Sequence, residues 1–499
     1  MNDNPAMGWA TGRGRSDESP GGAPPDRPLT GGAAMVGLSR GAVAVTGAAT
    51  TIVVARLLGP TGAGSYAIAQ TVIILLTVAT TLGAEHGIVF YVSSGRWAVR
   101  RAFYSSQRLA LVSGLVGVGV AVIARLLVPH AFRGLSVPLT LAAAAALPFA
   151  LAWLYASYVA LATARYEQYV LPPALQSALA LALVASFGAI DGVRGAVLGF
   201  TIAHVLTALG LRFAACRAVS RQPGVAEMPA PEPALRRAVT FGIKGYAANA
   251  LQVVNYRLDL FILSATATGA AVGRYSLAVA VTSVLWLLPS ALSDVLFPRV
   301  ASLSARSGRN DRQLLELVEA KTLRHTVLAT LVAVGVTALA LLTLVVPVYG
   351  SAFRPTTSLG LILLPGVALL GFCATFAATI VGRGRPGLML AATVVVTPPT
   401  VGLYAVLIPS LHATGAALAS SISYAAMFAL TAVLFRRVTG INPLRRMVPT
   451  SSEIADYINL GRAIGGRWGL LRVRLASGRS RRDRCCEPRT ATESTASEP

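Results

Sequence analysis

The sequence predicts an all-α polytopic membrane protein of about 12 transmembrane helices, built as two six-helix parallel repeats around a central cavity. Three observations carry that expectation. Of 499 residues, 54% are hydrophobic and only 13% charged, which does not match a soluble chain. The apolar residues fall in runs that approach or exceed the roughly 20 residues needed to cross a hydrocarbon core. Two stretches, near residues 64 and 273, also repeat one another. Together these exclude a soluble enzyme, a repeat solenoid and a disordered scaffold.

In chain order, residues 1–33 are Gly, Pro, Asp and Arg with little apolar content and predict a disordered cytoplasmic arm. They do not have the pattern of a secretory leader. Twelve spans follow, at about 35–57, 65–92, 109–128, 138–162, 170–190, 194–213, 238–263, 273–297, 324–347, 356–381, 387–408 and 411–435. An even number places both termini on one side. Arginine clusters occupy alternate connections, for example Arg96, Arg100, Arg101 and Arg108, then Arg165, then Arg212, Arg217 and Arg221, with Arg436 and Arg437 after the last span. The positive-inside rule makes those connections and both termini cytoplasmic. The opposite connections are short and thinly charged, too small to build an external catalytic domain, so the chain reads as a transporter and not an enzyme. The tail 438–499 is basic. Within it, 453–475 places Ile454, Tyr457, Ile458, Leu460 and Trp468 at helical spacing, as a helix lying on the membrane surface would.

The repeat sets the domain boundaries. Gly64-Ser65-Tyr66-Ala67 aligns with Gly273-Arg274-Tyr275-Ser276, and the alignment continues without a gap to place Glu85 on Asp294. Upstream, Leu38-Ser39-Arg40-Gly41 faces Gly242-Ile243-Lys244-Gly245. This predicts an N-terminal bundle at 34–213, a cytoplasmic linker at 214–237 and a C-terminal bundle at 238–437. Repeats separated by six spans keep one orientation, so their axis runs along the membrane normal.

Net charge is +23, from 43 Lys+Arg against 20 Asp+Glu. The arginines are dispersed among membrane-flanking loops, which favours topology and anionic headgroups over nucleic acid as their reason. Cys216, Cys373, Cys485 and Cys486 form no metal spacing, and no Gly-rich phosphate loop is present. Neither a metal nor a cofactor is expected.

Ionisable groups inside a span normally face water or a partner. Span seven carries Lys244, Asn249, Gln252, Asn255, Tyr256, Arg257 and Asp259. At about 100° per residue all but Arg257 fall on one stripe. The first half supplies Arg40, Arg56, Glu85 and His86. The cations, with the amides and hydroxyl of span seven, form a candidate substrate pathway. Glu85, His86, Asp259 and Asp294 are candidates for a coupling cation or proton. Glu85 and Asp294 are expected near the outer part of each half, paired with Arg56 or Arg257 or taking that ion. His204 is expected to be a packed, hydrogen-bonded residue. Cations in a cavity suit an anionic cargo such as a lipid diphosphate, and amides and hydroxyls suit a sugar head.

Ala55-Arg56-Leu57-Leu58-Gly59-Pro60 with Gly62-Ala63-Gly64-Ser65-Tyr66 resembles the opening "ARxLGPxxFGxY" of the polysaccharide-transporter and oligosaccharide-flippase family. Asn255-Tyr256-Arg257-Leu258-Asp259 and Leu296-Phe297-Pro298-Arg299-Val300 carry the same resemblance. It implies the multidrug, oligosaccharidyl-lipid and polysaccharide exporter fold, two six-helix bundles in a V, flipping polyprenyl-diphosphate-linked oligosaccharide across a bacterial cytoplasmic membrane. Membrane lipids, a polymerase and glycosyltransferases would be its partners. Ala63 departs from the family's Phe, and the two additional spans of lipid II flippases are missing. A cation-coupled small-molecule exporter of the same fold and a scaffold subunit of a surface-polymer complex are the competing readings. A major-facilitator transporter is disfavoured, because 93–108 lacks that family's acidic loop residue.

Overall fold

A computed structural model describes residues 29–81, 83–93, 97–132, 134–163, 165–220, 234–304 and 309–448. Most of the arm, the middle of the linker and the 453–475 helix lie outside these residues. The described residues are helical, with no strand among them.

Helices and spans do not match one to one: three long helices each hold two spans, and other spans are split between two helices. Helix α1 (Leu29–Thr81) contains spans one and two, which meet at Gly59, where φ is 63° and Pro60 follows. A left-handed glycine ends one helix and proline opens the next, each suited to its position by its backbone. Helix α2 (Ala84–Ser93) completes span two after a break at Gly83. Span three is α3 (Val99–Leu127), and span four is α4 (Val137–Ala144) with α5 (Leu147–Ala162). Helix α6 (Tyr166–Ser220) folds back at Asp191-Gly192 to give spans five and six.

The second half repeats the plan. Span seven is α7 (Ala234–Thr266). Span eight is α8 (Gly269–Ser283), opened by Thr268 accepting from the Ala271 amide, followed by a tightened turn at Val284–Trp286 and α9 (Leu287–Ser304). Span nine is α10 (Arg309–Thr343), and α11 (Val345–Tyr349) leads through Ser351–Phe353 into span ten, α12 (Pro355–Gly382). Helix α13 (Pro386–Thr439) folds back at His412 into spans eleven and twelve, and α14 (Pro443–Arg446) follows. In both halves the fifth and sixth spans form a hairpin around a single positive-φ position, and a short 3₁₀ turn with a buried Phe, Phe132 or Phe353, precedes the fourth span. The duplication is thus structural.

Among the described residues, eight helices are long and apolar enough to cross a membrane, and three of these contain a fold-back. The remaining span, span seven (α7), is absent from that set because its polar stripe dilutes its hydropathy. The chain is an integral membrane protein of two six-helix repeats. Helices overrun the expected bundle edges: α1 begins at Leu29, while α6 and α7 extend into the linker. The helical hydrogen-bond ladder does not stop where the hydrocarbon does.

Candidate functional site

The two halves meet at both ends. At the arginine-poor end, spans two and eight cross where the repeat motifs touch. A Cβ on Gly64 would lie 2.2 Å from the Gly269 carbonyl oxygen, and one on Gly273 would lie 1.9 Å from that of Pro60. Only glycine permits this approach. The pseudo-two-fold axis therefore passes between Gly64 and Gly273, which align in sequence. Nearby, the Ser264 hydroxyl donates to the Ala131 carbonyl at 2.5 Å, and Phe132 and Phe261 stack edge to face with centroids 5.8 Å apart. Arg56 donates through Nε to the Val348 carbonyl at 2.6 Å and through Nη2 to that of Pro347. It thereby caps α11 of the other half.

At the arginine-rich end, the Gly83 turn of span two lies against Gly242 and Tyr246 of span seven, and Gly87 lies against Ala238. On the other side of the axis, Arg40 of span one forms an ion pair with Asp294 of span eight. Glu85 and Asp294 thus sit at the arginine-rich end. This corrects the expectation that placed them near the outer part and paired them with Arg56 or Arg257. Spans two and eight run from the Gly64–Gly273 crossing towards the arginine-rich connections, so residues late in them lie at that end.

The two aligned carboxylates have different surroundings. Asp294 is 56% exposed beside Arg40, whereas the Glu85 side chain is 5% exposed, with Oε1 3.7 Å from Nδ1 of His86 and Oε2 buried without a hydrogen-bond partner. The His86 ring lies 5.9 Å from Tyr246 and 6.3 Å from Tyr158, and the Tyr155 hydroxyl donates to the Thr81 carbonyl at 3.3 Å.

Span seven lies between these ends, and its polar groups divide. Asp259 is buried in the second half: Tyr275 donates to Oδ2 at 2.5 Å, Ser420 donates to the same oxygen at 3.3 Å, and the Leu260 amide donates to Oδ1 at 2.6 Å. Tyr404 stands 3.1 Å from Ser420. Spans seven, eight, eleven and twelve therefore converge on one carboxylate. Gln252 donates to the Tyr256 hydroxyl at 2.5 Å, and Tyr256 packs edge to face on Tyr424. Asn255 is buried with Oδ1 unpaired, and Arg257 is half-buried. Lys244 and Asn249 lie on α7, with side chains outside the described set. His204 packs against the Phe200 carbonyl at 2.9 Å and Gln176 at 3.4 Å.

Tyr275, Tyr404 and Ser420 were not among the sequence candidates. Tyr275 stands in the repeated Gly-x-Tyr motif and was available as a signal there; the other two had none. A separate groove of about 460 Å³ lies between spans eleven and twelve, lined by residues such as Val395, Pro399, Leu403, Ser423 and Ala426. Among the described residues, no group of three His, Cys, Asp or Glu could hold a metal.

Two six-helix repeats, with Arg40 and Arg56 each bridging the halves and a buried carboxylate in one of them, define a two-repeat polytopic membrane protein. Residues 53–358, more than half of the chain, match the family described as polysaccharide biosynthesis protein, and the chain belongs to that family. The structure is similar to a lipid II flippase in an inward closed conformation (TM-score 0.63, 14% identity, 82% of this chain and 90% of that one). It is also similar to an inward-facing multidrug resistance MATE family transporter of the MOP superfamily (TM-score 0.57, 16% identity, 80% and 95%). A eukaryotic MATE transporter matches as well (TM-score 0.56, 12% identity, 84% and 99%). These likenesses establish the fold of this superfamily. No curated protein sequence matches the chain.

Proposed function

We propose that this protein flips a polyprenyl-diphosphate-linked oligosaccharide across a bacterial cytoplasmic membrane by alternating access, for export of cell-surface polysaccharide. The observation that carries the reading is a cation, Arg40, held where the two repeats meet, in a chain of a polysaccharide biosynthesis family. Arg40, Lys244 and Arg257 would take the diphosphate, since guanidinium forks and ammonium charges match phosphate oxygens. Gln252, Asn255 and Tyr256 would meet the sugar. Asn255 Oδ1 supports this, because a buried acceptor without a donor suits a ligand hydroxyl. Arg56 holds the arginine-poor end closed. The units 34–213 and 238–437 would move against each other, with both termini cytoplasmic under the positive-inside rule. The protein performs no bond chemistry in this reading. Its partners are the lipid-linked sugar, membrane lipids, and the glycosyltransferases and polymerase acting before and after it.

A second reading, a cation-coupled small-molecule exporter, is favoured by one observation: the buried Asp259 with its hydroxyl partners resembles a coupling site in its chemistry. In the first reading the same group couples flipping to a cation or proton gradient. Deleting the gene and complementing with wild type, Lys244→Ala, Arg257→Ala, Asp259→Asn or Glu85→Gln at matched membrane levels separates the two. Lost surface polymer with lipid-linked precursor held on the cytoplasmic leaflet supports the flippase. Normal polymer with altered drug sensitivity supports the exporter, and no change in either leaves a scaffold role.

A further inference from the structure

The ion pair between Arg40 and Asp294 joins the halves without being buried. Its side chains are 62% and 56% exposed, while the corresponding side of the axis is closed by backbone packing of Gly83 on Gly242. An exposed pair of this kind is weak, because both groups remain largely hydrated and long side chains must be held in place. Its exposure also leaves it open to an anion from solvent at the arginine-rich end. Asp294 offers Arg40 one carboxylate; a diphosphate offers several oxygens and more charge to the same planar fork.

We infer that Asp294 is an internal placeholder for the substrate's diphosphate: it occupies Arg40 and latches the arginine-rich end in the empty protein, and the lipid diphosphate displaces it and opens that end. The proposal rests on the flippase reading and assigns Asp294 a role distinct from ion coupling. Its sequence mate, Glu85, is buried with one oxygen unpaired. The two repeats have thus diverged at this position, leaving the exchangeable ion pair on one side of the axis among the described residues. Exchange needs no bond chemistry, only a change of partner at one guanidinium.

The test uses the full chain in nanodiscs with farnesyl diphosphate as the probe and farnesol as the uncharged control. Asp294→Asn should bind farnesyl diphosphate about two- to fivefold more tightly than wild type, the gain expected from removing an exposed competing charge. Arg40→Gln should bind it more weakly. The double variant should bind no better than Arg40→Gln, because the placeholder acts only through that arginine. Spin labels at Leu38→Cys and Phe297→Cys, both exposed beside the pair, report the latch in a chain whose native cysteines are replaced by Ala. Farnesyl diphosphate and Asp294→Asn should each lengthen this distance, and Asp294→Glu should restore it. If wild type binds the diphosphate and both single variants bind it equally well, the placeholder is overturned and the flippase reading stands. If wild type binds farnesyl diphosphate no better than farnesol, both fall.

Discussion

At the scale of single residues, Asp259 concentrates the most structure around one charge. Three donors reach its carboxylate, two of them from spans other than its own. Tyr275→Phe removes one of these from a buried carboxyl group and should lower stability by about 1–3 kcal/mol, the range for stranding a buried polar partner. Thermal unfolding in detergent checks this, and an unchanged midpoint would show that water replaces the hydroxyl. Asp259→Asn should retain the fold but abolish dependence of transport on the cation or proton gradient, read by collapsing that gradient with ionophores. Sequence reading found Asp259 because a carboxylate in an apolar run stands out. It did not find Ser420, because a serine 161 positions away carries no mark of its partner. Glu85 and Asp294 were misplaced for a different reason: the arginines that follow spans two and eight already put the late residues of those spans at the arginine-rich end, and the expectation did not follow each span's direction.

At the scale of elements, the contacts between helices decide which parts move together. Glu319 of α10 is fully buried and receives two bonds from Arg383, at 2.9 and 2.7 Å; Arg383 also donates to the Val438 carbonyl at 3.4 Å. This fork ties spans nine, ten and twelve into one body at the arginine-rich end. Arg383→Met alone should destabilise by about 3–5 kcal/mol, because it leaves a buried carboxylate unpaired. Adding Glu319→Leu should recover most of that loss, measurable by denaturation in detergent. At the crossing of spans two and eight, Gly64→Leu forces a side chain into the Gly269 carbonyl. It should destabilise by about 1–3 kcal/mol by overpacking and part the halves at the arginine-poor end, seen as increased cysteine labelling there. Most elements were legible from apolar run length, including the twelve-span count. The breaks at Gly59, Asp191-Gly192 and His412 were read to within a residue or two as the ends of spans; that each is a one- or two-residue fold-back inside an otherwise continuous helix was not, because run length gives a boundary and not a backbone angle, and His412 has no glycine to announce it.

At the scale of the whole molecule, the two repeats touch at both ends, so the structure is closed at each. Opening the arginine-rich end requires exchange of a solvent-exposed ion pair and separation of Gly83 from Gly242. Opening the other end requires Arg56 to leave two carbonyls and the Gly64–Gly273 crossing to part. The second is the more extensive contact, which makes the arginine-rich side the easier one to open. Arg56→Ala should shift the balance towards opening at the opposite end, detectable as greater access of an impermeant thiol reagent to a cysteine introduced at Val348. The duplication was legible at this scale because it is a property of the chain's order; the closure at both ends was not, since it depends on which distant surfaces meet. The most direct measurement is translocation itself. The purified protein is reconstituted in sealed liposomes with a polyprenyl-diphosphate oligosaccharide in both leaflets, and exposure of the sugar to an externally added glycosidase is followed. Digestion beyond the outer-leaflet fraction, lost in Lys244→Ala and Arg257→Ala, is the predicted result; digestion that stops at the outer leaflet with wild-type protein present would contradict the account.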